Sequence, residues 1–411
     1  MQGKYKQLKR FSERQIQDFV SGGKSFLLLG PRQVGKTTLL NGLLQDTQPL
    51  LKYLLQEPAT KIELERDPQV LIRQARAISG AVSIFIDEAQ KVPEVFDAAQ
   101  ALIDEGKASV FLTGSSARKL RRKGINLLPG RIRLLMLDPL MWGELGLLAD
   151  PSEYRIPSLA LQNINPLTQS IEDCMVYGSL PGLLPLSRPD AVELLQAYAR
   201  LYIEEEIRAE ALSRAIGPFA RFLELAALES GTSPNFTKLS KESGVSSPTI
   251  RQYYSVLEDT LIVERVDPYV KNARKRVLSS SRYYFFDTGV RNALARLPLT
   301  PELLQAEKGK LFEHAIVLEL LRRIRLLKSN HNLYYWRTSG GAEVDCVLER
   351  QDELIPIEIK SSAHISQRDL TGLRSFLADY GKKVKRAFVV TMGSRPEKID
   401  DKIIAIPWQF L

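Results

Sequence analysis

The stretch Phe26 to Leu40, FLLLGPRQVGKTTLL, constrains this 411-residue chain more than any other. An apolar run enters a glycine-bounded loop and leaves it in a helical pattern. Gly30, Gly35, Lys36 and Thr37 fit the spacing G-x-x-x-x-G-K-[ST]. In that spacing glycines let backbone N–H groups curl round a phosphate, lysine reaches the β- and γ-oxygens, and the threonine hydroxyl holds Mg²⁺. Gly30, Pro31, Arg32, Gln33, Val34, Gly35, Lys36, Thr37 and Thr38 are therefore the expected nucleotide cradle. A helix starting near Lys36 adds its positive dipole end. Ser25 to Leu29 reads as a buried parallel strand and Thr37 to Leu44 as helix, the context this chemistry requires. ATP and Mg²⁺ are the implied cofactors.

A partner for the loop follows. Leu50 to Leu55 reads as a second strand, and Asp67-Pro68 opens a helix carrying Val70, Leu71, Ile72 and Ala75. In Ala81 to Ala89, AVSIFIDEA, a β-branched and aromatic run ends in two carboxylates, as a phosphoryl-transfer site needs at the carboxyl end of a buried strand. Asp87 is expected to orient Mg²⁺ or its waters. Glu88 is expected to polarise the attacking water, because phosphoryl transfer needs a positioned nucleophile more than covalent chemistry. Val92 to Ile103 reads as helix, and Ser109 to Thr113 as a strand ending in Thr113-Gly114-Ser115-Ser116. Where an extra strand lies beside the loop strand, a polar side chain here senses the γ-phosphate; Ser115 or Ser116 is the candidate, and a simple turn is the alternative. Arg118, Lys119, Arg121, Arg122 and Lys123 then crowd one loop before Gly130-Arg131. Such a loop suits DNA or a neighbouring subunit's phosphate, or is a solvated charged loop. Arg131 is the candidate arginine finger, and a finger supplied in trans implies a homo-oligomer through this module.

Composition narrows the partners. A formal charge of +9 and a pI near 9.3 favour a polyanion. Cys174 and Cys346 stand far apart, and His314, His331 and His364 are scattered, which argues against a disulfide framework, a zinc enzyme or a histidine-based hydrolase. No apolar core follows the basic start, and no run is long enough to span a membrane, so a cytoplasmic protein without membrane association is expected.

Three domains are expected, at 1–151, 152–298 and 299–411. The composition shifts after Asp150-Pro151, and helices follow, among them Ala191 to Ile207 with a solvated acidic cluster Glu204-Glu205-Glu206. In Pro234 to Val266, a short helix over Thr237 to Ser243, a turn at Gly244 and a helix opened by Ser247-Pro248 form a helix-turn-helix layout. Ile250, Tyr254 and Leu257 face the core while Thr249, Arg251 and Gln252 stay exposed at the start, where a recognition helix reads a groove. Leu261 to Val266 and Tyr283 to Phe286 read as strands of a wing, and Lys271, Arg274, Lys275, Arg276 and Arg282 between them suit phosphate contact. DNA contact, protein contact and a lid on the ATPase are the roles open to such a module.

The last stretch carries a second constellation. Glu313 lies on an apolar helical stripe with Val317 and Leu320, where a lone carboxylate is costly. Alternation in Ala342 to Leu348 puts Glu343 and Asp345 on one side, and Ile355 to Lys360 puts Glu358 and Lys360 opposite Ile357 and Ile359. An Asp on one strand and Glu-x-Lys on the next is the spacing by which nuclease folds of the PD-(D/E)xK type hold Mg²⁺. Glu313, Asp345 and Glu358 are the expected metal ligands, and Lys360 positions or activates water. An internal salt-bridge network is the alternative.

Together these motifs resemble the prokaryotic AAA-type ATPases that carry a carboxyl-terminal domain of unknown function with a restriction-endonuclease-like core. The residues that carry the likeness are Gly30 to Thr38, Ile86 to Gln90, Leu112 to Ser116, Gly130-Arg131, Phe285 to Gly289, Gly341 to Asp345 and Ile357 to Ser362, spread over nearly the whole chain. The resemblance implies ATP binding and a winged-helix middle, but no substrate. Tyr202 to Arg208, YIEEEIR, departs from it where similar proteins often show an aspartate-rich turn. The expected architecture is α/β: an extra-strand P-loop NTPase, a helical and winged-helix middle, and a nuclease-like α/β tail. The expected function is an ATP-hydrolysing, DNA-associated protein, either an ATP-regulated Mg²⁺-dependent nuclease or DNA-processing ATPase, or an ATP-driven regulatory or binding switch whose tail is catalytically idle.

Overall fold

A computed structural model describes residues 8–116, 130–149, 156–167, 169–210, 216–270 and 280–411. The basic cluster Arg118 to Lys123 and the residues Lys271 to Arg276 lie outside them, as do the side chains of Glu204 to Glu206. The chain divides into two compact units, one of 10–139 with 255–262, the other holding the remainder.

The first unit runs α1 (Phe11–Ser21), β1 (Phe26–Leu29), α2 (Lys36–Leu43), β2 (Leu50–Leu54), α3 (Pro58–Arg66), α4 (Gln69–Ala77), β3 (Val82–Asp87), α5 (Val95–Asp104), β4 (Ala108–Gly114) and β5 (Arg133–Met136). Its five strands are all parallel, in the order β2-β3-β4-β1-β5. Parallel sheets are covered on both faces, which is why β1 is buried at every position and β3 and β4 are buried at most of theirs. Leu71, Ile72 and Ala75 are the buried face of α4 and join Ile84, Ile86, Phe96 and Leu112 in one core. β4 is inserted between the loop strand and the carboxylate strand, as the extra-strand reading anticipates. Leu29 pairs with Gly114 and Ile86 with Leu112, so the loop, Thr113 and Asp87 emerge along one edge of the sheet. The helix read over Val92 to Ile103 starts only at Val95, after a 3-10 turn over Ala89–Lys91 and the intervening Pro93.

The second unit contains α6 (Ile171–Tyr177), α7 (Arg188–Glu210), α8 (Ile216–Leu228), α9 (Phe236–Ser243), the part of α10 (Ser247–Asp259) before Ser255, β6 (Val263–Pro268), β7 (Arg282–Phe285), α11 (Thr288–Leu294), α12 (Leu303–Leu327), β8 (Asn332–Arg337), β9 (Glu343–Arg350), β10 (Glu353–Lys360), α13 (Thr371–Tyr380), β11 (Ala387–Thr391), β12 (Glu397–Lys398) and β13 (Ile403–Pro407). Its sheet has the order β12-β13-β11-β10-β9-β8-β6-β7. β6 pairs antiparallel with β7 and, through Asp267 and Pro268, parallel with β8, so the 152–298 and 299–411 stretches share one sheet. Between α9 and α10 the chain turns at Gly244, φ 73°. The residue that caps α10 is Ser246, one before the Ser247-Pro248 pair that the sequence reads as the helix start and N-cap, because the helix already includes Ser247 and Thr249 N–H donates to Ser246 Oγ at 3.4 Å. Ile250, Tyr254 and Leu257 are buried, while Arg251 and Gln252 are exposed. No helix among the described residues is long and apolar enough to cross a membrane.

Phe285 to Gly289 acts here as a structural joint. Asp287 is fully buried, accepts from Ser179 N at 2.7 Å and caps α11 by accepting from Val290 N at 3.0 Å. A Cβ on Gly289 would stand 2.0 Å from the Tyr177 carbonyl oxygen, so only glycine lets α11 approach α6 this closely.

Candidate functional site

The loop between β1 and α2 is shaped by two glycines. A Cβ on Gly30 would lie 2.2 Å from the Leu137 carbonyl oxygen, and Gly35 caps α2 with φ 93°, a left-handed conformation. Pro31, Val34 and Lys36 are buried, whereas Gln33 and Thr38 are exposed and Arg32 is half-buried. Lys36 Nζ donates to the carbonyls of Gly30 at 2.9 Å and Pro31 at 2.8 Å, which holds the ammonium inside the loop. Burial lowers its pKa, against the pull of Glu88 and Asp87.

Asp87, 1% exposed, is where three elements converge. Its Oδ1 accepts from Thr37 Oγ1 at 2.7 Å and from Thr113 Oγ1 at 2.6 Å, and its Oδ2 accepts from Gln56 Nε2 at 3.4 Å. A threonine hydroxyl and a carboxylate side by side at the loop are hard oxygen donors, a set that fits Mg²⁺. Glu88 follows at φ 55°, with its N–H donating to Thr113 Oγ1 at 2.8 Å. Its carboxylate accepts from Ser115 Oγ at 3.0 Å and from Gln90 Nε2, and Gln90 also donates to Ser115 at 3.0 Å. Ser115 is thus bonded to Glu88, whereas Ser116 Oγ is buried without a hydrogen-bond partner. Gln90 is the residue whose role sequence reasoning missed: nothing local distinguishes it from an ordinary helix-start glutamine.

Arg131 lies elsewhere. It precedes β5, whose Arg133 pairs with Phe26 at the start of β1, so within its own chain it stands at the end of the sheet away from the loop. There its guanidinium pairs with Asp104 on the surface.

The second unit brings Asp345, Glu358 and Lys360 together. Antiparallel pairing of Cys346 with Ile357 places Asp345 on β9 beside β10, where it accepts from Ile359 N at 2.8 Å. Lys360 Nζ donates to Glu358 Oε1 at 2.6 Å, while Glu358 Oε2 is buried without a hydrogen-bond partner. Burial and the Asp345 charge push the Glu358 carboxyl up to about 8 and Glu313 up to about 7, and burial raises Asp345 as well. Glu313, on α12, accepts from Tyr284 Oη at 2.8 Å and faces Arg282 Nη1 at 3.6 Å. Arg282 also pairs with Glu343 and stacks 4.4 Å from the Tyr335 ring. By sequence Arg282 belongs to a patch suited to phosphate contact. It is instead 7% exposed, because its position on β7 turns it into the sheet toward carboxylates. Hard carboxylates and an orphaned acceptor suit a divalent cation, yet among the described residues no three His, Cys, Asp or Glu side chains are gathered closely enough to hold one.

Residues 23–146 match the family described as AAA domain, a match that supports an AAA-type P-loop ATPase domain in the first unit. Residues 168–301 and 308–411 match two families described as domains of unknown function, DUF8612 and DUF4143. Over 386 residues, 93% of this chain and 79% of the relative, the chain is 26% identical to an uncharacterized protein of Mycobacterium tuberculosis (strain ATCC 25618 / H37Rv). It matches an uncharacterized protein of Mycobacterium bovis to the same extent. Among solved structures it is similar to the Walker-type ATPase PABY2304 of Pyrococcus abyssi, at 15% identity, covering 69% of this chain and 94% of that one, with a TM-score of 0.45. It is also similar to the Aeropyrum pernix ORC1 protein in complex with DNA, at 14% identity, covering 71% and 93%, with a TM-score of 0.31.

Proposed function

We propose that the first unit binds ATP with Mg²⁺ and hydrolyses it, and that the second unit associates with DNA under nucleotide control. The observation that carries the hydrolytic reading is the 2.7 Å bond between Thr37 Oγ1 and Asp87 Oδ1 beside a buried Lys36. Lys36 and the loop N–H groups hold the β- and γ-phosphates, and Thr37 and Asp87 would hold the metal. Bound there, Mg²⁺ supplies charge neutralisation of the phosphates. Glu88, restrained by Gln90 and Ser115, orients and deprotonates the attacking water, and Ser115 reports the γ-phosphate. Arg131 serves as finger toward a neighbouring subunit, which requires a homo-oligomer and release from Asp104. DNA association is supported by the chain's positive charge and by the α9–turn–α10 layout with its β6–β7 hairpin, read as a winged helix.

For the tail, the nuclease reading assigns Asp345, Glu358 and Glu313 to a divalent cation and Lys360 to the water. A second reading, an ATP-driven switch with an idle tail, is favoured by one observation: Arg282 already supplies a positive charge to Glu313 and Glu343. The deciding experiment measures ATP hydrolysis by wild type, Lys36→Ala and Glu358→Ala with and without DNA, and Mg²⁺- or Mn²⁺-dependent DNA cutting by the same proteins. Hydrolysis that persists in Lys36→Ala rejects the loop assignment. Cutting lost in Glu358→Ala but present in wild type supports the nuclease, and wild type that hydrolyses ATP, binds DNA and cuts nothing supports the switch.

A further inference from the structure

Arg10 has no place in the loop motif, yet its side chain, 8% exposed, reaches a carbonyl of the motif. Nη1 donates to the Val34 carbonyl at 2.9 Å and Nη2 to the Asp138 carbonyl at 2.7 Å. The backbone under it is held at the start of α1: Arg10 N donates to Glu13 Oε2 at 3.3 Å and Glu13 N donates to the Arg10 carbonyl at 3.1 Å. α1 in turn packs on α2, the helix that the loop opens.

In a trans peptide the C=O and N–H point in opposite directions, so a Val34 carbonyl held by Arg10 turns the Gly35 N–H away from Arg10. The positive φ of Gly35, 93°, is the conformation in which the loop takes this course into α2. Asp138 also belongs to the segment that touches the other end of the loop: Leu137 N donates to the Leu29 carbonyl at 2.8 Å, and the Leu137 carbonyl is the atom against Gly30. The beginning and the end of the loop are thus both tied to 137–138, one directly and one through Arg10. One residue further on, after Pro139, the chain leaves this unit, and it enters the unit at Arg10 itself.

We infer that Arg10 is a positioning residue for nucleotide: it orients the Val34–Gly35 peptide for phosphate and transmits the loop's nucleotide state to the 137–138 segment at which the chain leaves the unit. This rests on the nucleotide reading of the loop. A guanidinium is required because its planar fork reaches two carbonyls, where a lysine ammonium on a flexible stem reaches one of them at a time.

The test uses the full chain as wild type, Arg10→Lys and Lys36→Ala, with melting temperature, equilibrium binding of a fluorescent ATP analogue, steady-state hydrolysis and hydrogen exchange of the peptide containing Leu137 and Asp138. Wild type is expected to show slower exchange in that peptide when ATP analogue is added. Arg10→Lys, folded and melting close to wild type, is expected to bind roughly tenfold more weakly, to show the loss in KM more than in kcat, and to lose the ATP-dependent protection. Wild-type affinity and protection in Arg10→Lys overturn the inference, as does a variant whose only change is a lower melting temperature. Absence of ATP binding in wild type, equal to Lys36→Ala, overturns the nucleotide reading instead.

Discussion

Glu88 sits at φ 55°, a left-handed backbone that costs a residue with a side chain about 1 kcal/mol and persists only where neighbours hold it. Thr113, Ser115 and Gln90 provide that hold, which makes Glu88 a side chain restrained in position as well as identity. Glu88→Gln is expected to keep ATP affinity and to lose hydrolysis by about 100-fold or more, because the amide preserves the hydrogen bonds but accepts no proton. A fluorescent-nucleotide titration beside a phosphate-release assay checks both halves, and a variant that hydrolyses at the wild-type rate sinks the assignment. The cysteines give a contrasting case. Cys174 and Cys346 are buried, and burial pushes both thiols far above their ordinary pKa. Neither is expected to react with a thiol-specific reagent in the native protein, with both reacting once denaturant unfolds it.

Among the elements, α11 depends on single residues at its start. Gly289→Ala forces a Cβ against the Tyr177 carbonyl and is expected to cost roughly 3 kcal/mol or to prevent folding, read as a drop in the denaturant midpoint. Asp287 adds a pH signature. Burial raises its carboxyl above the ordinary 3.8, so the folded form holds its proton more tightly than the unfolded chain. Its contribution is full below 3.8 and declines as pH rises through the folded value. The stability advantage of wild type over Asp287→Asn is therefore expected to shrink as melts are repeated from acid toward neutral pH; a constant difference contradicts this. Arg323 and Glu319, both fully buried and 2.8 Å apart on α12, form a different kind of joint. Removing one partner strands the other charge, so Arg323→Met is expected to destabilise by about 3 kcal/mol, and Arg323→Met with Glu319→Leu by less.

For the whole molecule, the net charge of +9 matters through the polyanion it would meet. If the second unit contacts DNA phosphates, binding is expected to weaken steeply and log-linearly with salt, the slope reporting the number of phosphates neutralised. Fluorescence anisotropy with a labelled duplex at several salt concentrations measures it, and a flat dependence removes DNA as the partner. The sequence alone determined what is local or periodic. The loop and its glycines, the apolar parallel strands, the acidic pair that closes β3, the turn at Gly244 and the alternation that aligns Asp345 with Glu358 are each written within a few residues, where sterics, hydrogen-bond spacing and burial act. Tertiary structure decided the rest, because its partners are distant in the chain. Arg10 meets carbonyls 24 and 128 residues away, and Arg282 meets Glu343 across 61 residues. A buried arginine must find acceptors wherever the fold brings them. No periodicity marks which arginine will brace the nucleotide loop, or which will be drawn from a surface patch into a cluster of carboxylates.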